Sequence, residues 1–197
     1  MTLTQQKTSN ISIIIPTLNE AHNLPALQSL TGMVQDCIVV DGGSSDDTVQ
    51  VADKLGFLVK TCSGGRGAQL NLGAGCASAH LLLFLHADTL LPPDFCHAVT
   101  ECMADPATTI GAFRLEIKKR GIAANLITRG ANMRSRLLQL PYGDQALFLR
   151  KETFTELGGF PELPIMEDYV FVRRAKKKGR VVTLPQERSL LGRAKEW

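Results

Sequence analysis

Residues Leu81–Leu91 read LLLFLHADTLL, an apolar run that is interrupted by His86, Ala87 and Asp88 and then resumes. A continuous apolar run of this length is typical of a strand that is buried on both faces of a parallel sheet. The interruption places an imidazole and a carboxylate, one residue apart, at the end of that strand. The stretch therefore predicts a buried strand whose carboxyl end carries side chains able to bind a ligand.

The first half of the chain alternates short apolar, β-branched runs with amphipathic segments. The predicted strands are Ile11–Ile15, Cys37–Asp41, Phe57–Lys60 and Leu81–Leu85. Helices are predicted over Glu20–Leu30, after a cap at Ser45 or Asp46, over Gly67–Ala79, and after Pro92 and Pro93. This alternation predicts an α/β fold with a mostly parallel central sheet and helices on both of its faces.

The second half of the chain has a different pattern. Gly111–Ile117 alternates apolar and polar residues and predicts a half-exposed strand, Ala146–Arg150 predicts another strand, and Glu167–Lys178 predicts a helix. A chain of 197 residues with 44% hydrophobic residues supports one sizeable core, and two full domains would be cramped. We therefore expect a single domain over 1–197, in which the second half packs onto the first.

Composition and charge argue against several classes of protein. With 22 basic and 19 acidic residues the net charge is only +3, which is too mild to indicate a nucleic-acid partner. The basic residues between Arg173 and Arg180 form either a solvated helix face or a patch that faces phosphate or lipid. Five cysteines without a CxxC pair favour reduced thiols and a cytoplasmic protein. The polar N-terminus is unlike a signal peptide, and no apolar run approaches the roughly 20 residues of a membrane helix, which leaves peripheral contact as the form of membrane association still open.

Four polar or glycine-rich loops follow the four predicted strands. They are Pro16–Glu20, Asp41–Thr48, Cys62–Gly75 and His86–Thr89. Because ligands of open parallel sheets bind outside the carboxyl ends of the strands, we expect these loops to converge on one binding site. Neither GxGxxG after a strand nor GxxxxGK[ST] occurs in the sequence, so a dinucleotide-binding Rossmann domain and a P-loop NTPase are disfavoured.

The loops carry side chains that suit a nucleotide and a cation. Asp41 could accept hydrogen bonds from a base or a ribose, and Arg66 could reach a phosphate. On an extended segment His86 and Asp88 point to the same side, where they could bind one divalent cation. Oxygen ligands favour Mg²⁺ or Mn²⁺, and the imidazole tilts the choice toward Mn²⁺. The structural alternative is that His86 caps the strand and Asp88 caps the next helix.

The motifs IPTLNE, VVDGGSSDDT, GRGAQLNLGA and FLHADT, in this order and spacing, resemble those of the family 2 glycosyltransferases, which have the Rossmann-like GT-A fold. The resemblance covers nearly the whole chain and is strongest to small bacterial enzymes in which HADT stands where the family has DxD. It implies that Asp41 meets the base, Arg66 the diphosphate and Asp88 the metal. His86 replaces an aspartate of the DxD, and its role is left open between a second metal ligand and a contact with the sugar or ribose. The residues that it assigns to the nucleotide-sugar are Pro16, Thr17, Leu18, Glu20, Asp41, Gly42, Ser44, Arg66, His86, Ala87 and Asp88.

Two motifs in the second half extend the resemblance. YGDQALF is similar to the family's GDQ segment, which implies that Gly143, Asp144 and Gln145 lie near the donor sugar and the acceptor. MEDYVFVRR is similar to the family's ED motif, whose acidic residue is the catalytic base in inverting enzymes. The residue match favours Asp168 as the base, with Glu167 as the alternative. Acidic residues at a helix N-terminus are also common for electrostatic reasons alone.

The resemblance implies an inverting glycosyltransferase that uses Mn²⁺ or Mg²⁺ to move a sugar from a nucleotide-sugar, with uridine expected, to an acceptor hydroxyl. Residues 10–105 would form the nucleotide-binding half and residues 106–197 the acceptor-binding half. The acceptor is left open between a lipid, a carotenoid acid and a saccharide, and so is homodimer formation. Two alternatives are a nucleotidyltransferase and a catalytically inactive nucleotide-binding module of the same fold. We expect no nucleic-acid partner and a cytoplasmic location, and peripheral contact at the inner membrane face is left open.

Overall fold

The computed structural model describes residues 9–116 and 146–190. Its strands are β1 (Ser9–Thr17), β2 (Val34–Asp41), β3 (Leu58–Thr61), β4 (Leu81–Phe84), β5 (Thr89–Leu90), β6 (Thr108–Glu116), β7 (Phe148–Arg150) and β8 (Arg180–Leu190). A 3₁₀ helix spans Leu24–Gly32, and the α-helices are α1 (Thr48–Lys54), α2 (Gly65–Cys76), α3 (Phe95–Ala104), α4 (Lys151–Glu156) and α5 (Glu167–Lys178). The strands form one sheet in the order β3-β2-β1-β4-β7-β6-β8-β5.

The sheet is mostly parallel, as the sequence predicted. Strands β1 to β4 run parallel to one another, so their carboxyl ends meet at the same edge. Strand β7 is antiparallel to β4 and β6, β5 is antiparallel to β8, and β6 and β8 pair in parallel. Among the described strands, β5 and β7 therefore oppose the direction of the others. Because β7 pairs with β4, the second half of the chain continues the sheet of the first.

Helices cover both faces of the sheet, which was also predicted. Along β1, Ile11, Ile13 and Ile15 pack in the cluster that contains the 3₁₀ helix, α1 and α3. Ile14 points the other way, into the cluster that contains α2, α4 and α5. All four side chains are completely buried, and each such burial stabilises the fold by about 1.5–3 kcal/mol. The uninterrupted apolar run of β1 thus follows from burial on two faces.

The helix predicted over Glu20–Leu30 is a 3₁₀ helix that begins at Leu24. Leu24, Leu27 and Leu30 are its buried residues. Their spacing of three matches the three residues per turn of a 3₁₀ helix, so the leucines stack along one side of it. An amphipathic α-helix would also bury apolar residues four positions apart, and this helix buries residues only at spacings of three.

The strand predicted at Gly111–Ile117 is present through residue 116, but its predicted half-exposure was wrong at residues 111–113, which are buried. Strand β6 begins at Thr108, and its residues through Phe113 are buried. It lies inside the sheet between β7 and β8, with α3 and α5 packed against it. At Gly111 an added Cβ would lie 2.2 Å from the ring of Phe148. The glycine therefore admits a large aromatic side chain from the neighbouring strand, and the apparent alternation reflects packing rather than exposure.

Two further observations concern the helices. Helix α5 spans Glu167–Lys178, as the sequence predicted. The helices within the described residues are all too short or too polar to cross a bilayer.

Candidate active site

Hydrogen bonds join the loops that follow β1 and β2. The amide of Asn19 donates to Ser44 Oγ over 2.8 Å, and Asn19 Oδ1 accepts from the amide of Ser45 over 2.8 Å. The amide of Glu20 donates to Thr48 Oγ1 over 2.9 Å. Asn19 has a φ of 57°, a left-handed conformation that asparagine tolerates better than most residues. The two loops therefore form one connected rim of the site.

Asp41 ends β2, and its buried carboxylate holds the loop that follows. Oδ2 accepts from the amides of Gly43 and Ser44, each over 2.9 Å, and Oδ1 accepts from the hydroxyls of Ser44 and Thr17. Burial alone would raise the pKa of Asp41, but these hydrogen bonds to the charged form outweigh it and hold that pKa below its usual range. The contact of Asp41 with a nucleotide base stays a prediction, and the structure adds that this carboxylate shapes the loop.

Gln69 on α2 is a site residue that the sequence analysis missed. Its side chain is buried, and Nε2 donates to the carbonyl oxygens of Thr17 (3.0 Å) and Val40 (2.8 Å) at the ends of β1 and β2. An added Cβ on Gly42 would lie 2.9 Å from the same nitrogen. Gln69 thus holds two strand ends together, and the signal for it in the sequence is an amide beside Leu70 on the buried side of α2.

Arg66, in the first turn of α2, connects three separate parts of the site. Its Nη1 donates to Glu167 Oε1 over 2.8 Å, and its Nη2 lies 2.6 Å from Nε2 of His86. A guanidinium can only donate, so Nε2 of His86 accepts this hydrogen bond. The Glu167 side chain is 4% exposed and that of Arg66 33%. Among the described residues, Arg66 Nε is buried without a hydrogen-bond partner.

The segment after β4 is a turn, and the prediction of an extended segment was wrong. Ala87 and Asp88 form the turn, and the amide of Thr89 donates to the carbonyl oxygen of His86 over 3.1 Å. The two-residue period that placed His86 and Asp88 on one side therefore does not apply. Instead, His86 contacts Arg66, while the half-buried Asp88 accepts a hydrogen bond from the Thr89 hydroxyl over 3.3 Å. Helix capping by Asp88 is also not observed, because α3 begins at Phe95 after an N-cap residue at 94.

Glu167 and Asp168 open α5 in different surroundings. Glu167 is buried against Arg66, whereas Asp168 is half-buried and its Oδ1 accepts from the amide of Tyr169 over 2.7 Å. Successive residues of an α-helix are rotated by about 100°, so the two carboxylates point in different directions. The preceding residue, Met166, has a φ of 69°, a conformation that costs a non-glycine residue about 1–2 kcal/mol. The backbone turns sharply at Met166, and α5 with its two carboxylates begins at the next residue.

Helix α2 also holds the segment that leads into α5. Asn71 Nδ2 donates to the carbonyl oxygen of Phe160, and Asn71 Oδ1 accepts from the amide of Phe160, each over 2.8 Å. An added Cβ on Gly67 would lie 2.6 Å from the carbonyl oxygen of Pro161. The glycine therefore permits a close approach between helix and segment. As a result, α2 fixes the position of α5 as well as that of the strand ends.

The residues predicted for the nucleotide-sugar lie at the carboxyl ends of β1, β2 and β4 and at the start of α2. They differ in access, since Leu18 is 58% exposed and Ala87 is buried. Of the two candidate bases, Glu167 contacts this edge of the sheet through Arg66, and Asp168 is the next residue in the helix. The predicted residues Gly143, Asp144 and Gln145 lie outside the described residues.

The side chains at this edge suit a divalent cation that arrives together with a diphosphate. Within 9–116 and 146–190, no group of three or more His, Cys, Asp or Glu residues is placed to hold a metal. Asp88 offers one half-buried carboxylate in the turn after β4, two residues from His86, which contacts Arg66. Mg²⁺ is commonly held by one or two carboxylates together with substrate phosphates and waters. Asp88 therefore fits such a cation. Nε2 of His86 is engaged by Arg66, and the role of His86 as a metal ligand stays a prediction.

A mostly parallel α/β sheet with polar loops gathered at one edge, beside the start of a carboxylate-bearing helix, is the arrangement of a GT-A protein. Residues 12–158 match the sequence profile of Glycosyl transferase family 2, and the chain belongs to this family.

Two curated relatives show how far the similarity extends. The chain is 31% identical over 195 residues to the PGL/p-HBAD biosynthesis glycosyltransferase of Mycobacterium bovis, which covers 87% of this chain and 72% of the relative. It is 34% identical over 97 residues to the 4,4'-diaponeurosporenoate glycosyltransferase of Staphylococcus haemolyticus, which covers 44% of this chain and 26% of that relative.

Solved structures share the fold. The mannosyltransferase PcManGT of Pyrobaculum calidifontis, in complex with GDP-Man and Mn²⁺, has a TM-score of 0.74 at 17% identity and covers 98% of this chain and 60% of its own. Glucosyl-3-phosphoglycerate synthase of Mycobacterium tuberculosis, in complex with Mn²⁺, UDP-glucose and phosphoglyceric acid, has a TM-score of 0.70 at 19% identity and covers 94% of this chain and 72% of its own. The chain thus spans less than two thirds of the length of some of the proteins that it matches.

Proposed function

We propose that this chain transfers a sugar from a nucleotide-sugar, with a UDP-sugar as the preferred donor, to an acceptor hydroxyl, with inversion at the anomeric carbon and with a requirement for Mn²⁺ or Mg²⁺. Family membership supports sugar transfer. The observation that supports the proposal is the contact of the Arg66 guanidinium, a group suited to phosphate, with Glu167, the residue next to the proposed base Asp168. UDP-glucose and Mn²⁺ in a protein of the same fold support the choice of donor and metal.

The donor diphosphate would lie against Arg66. A guanidinium presents several donors in a planar fork that matches phosphate oxygens, and this one is a third exposed. A divalent cation bound beside Asp88 would neutralise charge that develops on the departing diphosphate. The nucleoside would rest on the connected loops after β1 and β2, with the exposed side chain of Leu18 available for contact with the base.

Asp168 is the proposed base. The acceptor oxygen forms its bond to the anomeric carbon as the bond from that carbon to the diphosphate oxygen breaks, and the hydroxyl proton passes to the Asp168 carboxylate. General-base assistance of this kind contributes about 10²–10⁴-fold to the rate. Glu167 is less suited to the role, because its buried carboxylate already accepts from Arg66. Attack from the side opposite the leaving group inverts the configuration in a single displacement.

Two measurements test the function. A thermal-shift screen of UDP- and GDP-sugars with and without Mn²⁺ reports binding, since a ligand at 100 times its dissociation constant stabilises the native state by about 2.7 kcal/mol. A coupled assay for nucleoside diphosphate release reports turnover. We expect Asp88→Asn to abolish the metal-dependent release and the exposed control Asp53→Asn to retain it. Wild-type release from Asp88→Asn would remove Asp88 from the site.

The same assays separate the alternatives. Pyrophosphate release from a nucleoside triphosphate would identify a nucleotidyltransferase. Binding without hydrolysis or transfer, tested with a panel of lipid, carotenoid-acid and saccharide acceptors, would identify an inactive nucleotide-binding module. The cytoplasmic location, the division into halves at residue 105 and the homodimer stay predictions.

A further inference from the structure

We propose that the outer side of α5, together with residues 163–166 before it, is a docking surface for a membrane that contains anionic phospholipids. The segment that precedes the helix is its apolar part. Leu163 is 42% exposed, Ile165 75% and Met166 44%. Single exposed apolar side chains are ordinary, but three large ones within four residues form a local patch.

The helix itself is the basic part. Between residues 169 and 178 it contains no acidic residue. Its core-facing residues are Phe171, Val172 and Ala175. The basic side chains on the exposed remainder are Arg173, Arg174, Lys176, Lys177 and Lys178. One of them, Lys178, pairs with Glu156 over 2.8 Å. Over residues 169–178 the helix therefore presents basic side chains and no acidic ones.

The basic part begins where the apolar part ends. Residues three and four apart are neighbours on a helix surface, and Val170, Arg173 and Lys177 follow one another at spacings of three and four. Met166 comes directly before the helix, and its carbonyl oxygen accepts from the amide of Val170 over 3.1 Å. Tyr169 lies beside this row, with the Arg173 guanidinium 5.6 Å from the centre of its ring. Tyrosine is enriched where protein meets the headgroup region of a bilayer.

Charge complementarity selects the occupant. An anionic bilayer surface attracts Lys and Arg side chains while their aliphatic stems and adjacent apolar residues enter the headgroup boundary. A nucleic acid would use the basic residues alone and would leave the apolar patch in water. A membrane uses both parts of the surface.

Docking in this way would place the proposed base next to the bilayer. Asp168 lies two residues from Met166, which is at most about 7 Å of extended backbone. An acceptor anchored in the membrane could then present its hydroxyl at the start of α5. This consequence for the acceptor rests on the proposed function, whereas docking itself does not.

The test is sedimentation with vesicles in the absence of any nucleotide-sugar. We expect the protein to bind phosphatidylglycerol–phosphatidylcholine vesicles, to bind less as salt screens the charges, and to bind pure phosphatidylcholine vesicles much more weakly. Arg173→Gln with Lys177→Gln should lower the partition coefficient about 30-fold, because each basic side chain near an anionic surface contributes about 1 kcal/mol to the binding free energy. The matched control, Lys54→Gln with Lys60→Gln, changes the net charge equally on exposed residues of α1 and β3 and should bind as the wild type does.

The apolar part has its own pair of variants. Leu163→Ser with Ile165→Ser should weaken binding about 10-fold or more, because each buried CH₂ contributes about 0.8 kcal/mol. Leu58→Ser, on an equally exposed leucine of β3, should not. Thermal unfolding verifies that each variant is folded.

Equal binding to both vesicle types, equal losses in the control variants, or retention on a polyanion such as heparin without vesicle binding would overturn the proposal. Transfer of sugar to a water-soluble acceptor by a protein that ignores anionic vesicles would refute docking and leave the proposed function standing. Vesicle binding by a protein that transfers no sugar would support docking and refute the proposed function.

Discussion

Substituting Glu167 by glutamine separates its contact with Arg66 from the chemistry of transfer. The amide oxygen can still accept from Arg66 Nη1 across 2.8 Å, but the negative charge is lost. A hydrogen bond to a charged group contributes about 1.5–3 kcal/mol and a neutral one about 0.5–1.5 kcal/mol, so the change costs about 1 kcal/mol once the one-third exposure of Arg66 is considered.

For a chain of this size, 1 kcal/mol corresponds to a fall in Tm of about 2–4 °C. A less firmly held Arg66 should raise the donor KM about fivefold, which is the same free energy expressed as an affinity. The turnover number should change little, because the proton acceptor is untouched. Asp168→Asn should show the opposite pattern, with kcat lowered about 10²–10⁴-fold, while Tm and the Kd for UDP stay near their wild-type values.

Initial-rate kinetics with varied donor, calorimetric UDP binding and thermal unfolding measure these quantities. Glu152→Gln, which neutralises an exposed acidic residue in the first turn of α4, is the control for loss of charge at a helix start. If Glu167→Gln lost kcat more than about 100-fold with an unchanged KM, and Asp168→Asn lost little, Glu167 would be the base and the reasoning from its ion pair would be refuted.

Three further predictions concern stability and reactivity. Gly73→Ala should lower the free energy of unfolding, measured with denaturant, by about 1–3 kcal/mol, because the added Cβ would lie 2.4 Å from Ile14 Cγ2. Gly75→Ala in the same helix would meet nothing within 4 Å and should leave that free energy unchanged or raise it. The reverse order of stability would refute the packing argument. Since the pKa of Asp41 is held below its usual range in the folded state, its contribution to stability is complete above about pH 5 and is lost as pH falls through the lowered pKa. Asp41→Asn should therefore differ from the wild type in urea unfolding at pH 7 and converge with it in acid, and a constant difference would contradict this. Burial and the neighbouring charge of Asp36 raise the pKa of Cys37 to about 12, so mass spectrometry should find this thiol unalkylated by iodoacetamide at pH 8 until urea unfolds the chain; rapid labelling in the folded state would be the contrary result.

The sequence predicted the elements whose side-chain pattern has a single physical cause. Strands β1 and β4 are apolar because both faces of the sheet are covered. Helix α5 has its predicted bounds because acidic residues open its first turn and lysines fill its last turn, where each charge suits the helix dipole. Where two causes compete, the pattern misled. The alternation of apolar and polar residues over Gly111–Ile117 suggested an exposed face, yet the strand is interior and Gly111 accommodates the ring of Phe148.

The candidate site was predictable as a set of loops but not as a set of contacts. The rule that ligands lie at the carboxyl ends of parallel strands was sufficient to collect Asp41, Arg66 and Asp88 at one edge. The ion pair of Arg66 with Glu167 spans 101 residues of sequence, and no local periodicity encodes such a contact. The loop at His86–Thr89 was predicted, but its residues were taken as extended, and the two-residue turn at Ala87 and Asp88 was missed for that reason.

Because of helix α2, different parts of the site should tolerate substitution to different degrees. Within two turns it carries Arg66, Gln69 and Asn71, which hold respectively the start of α5, the ends of β1 and β2, and the segment at Phe160. A substitution that tilts this helix would displace all of these parts at once, whereas one at a loop tip such as Leu18 would alter a single contact. Variation that retunes the choice of substrate should therefore accumulate in the loop tips, while the buried side of α2 admits very few alternatives.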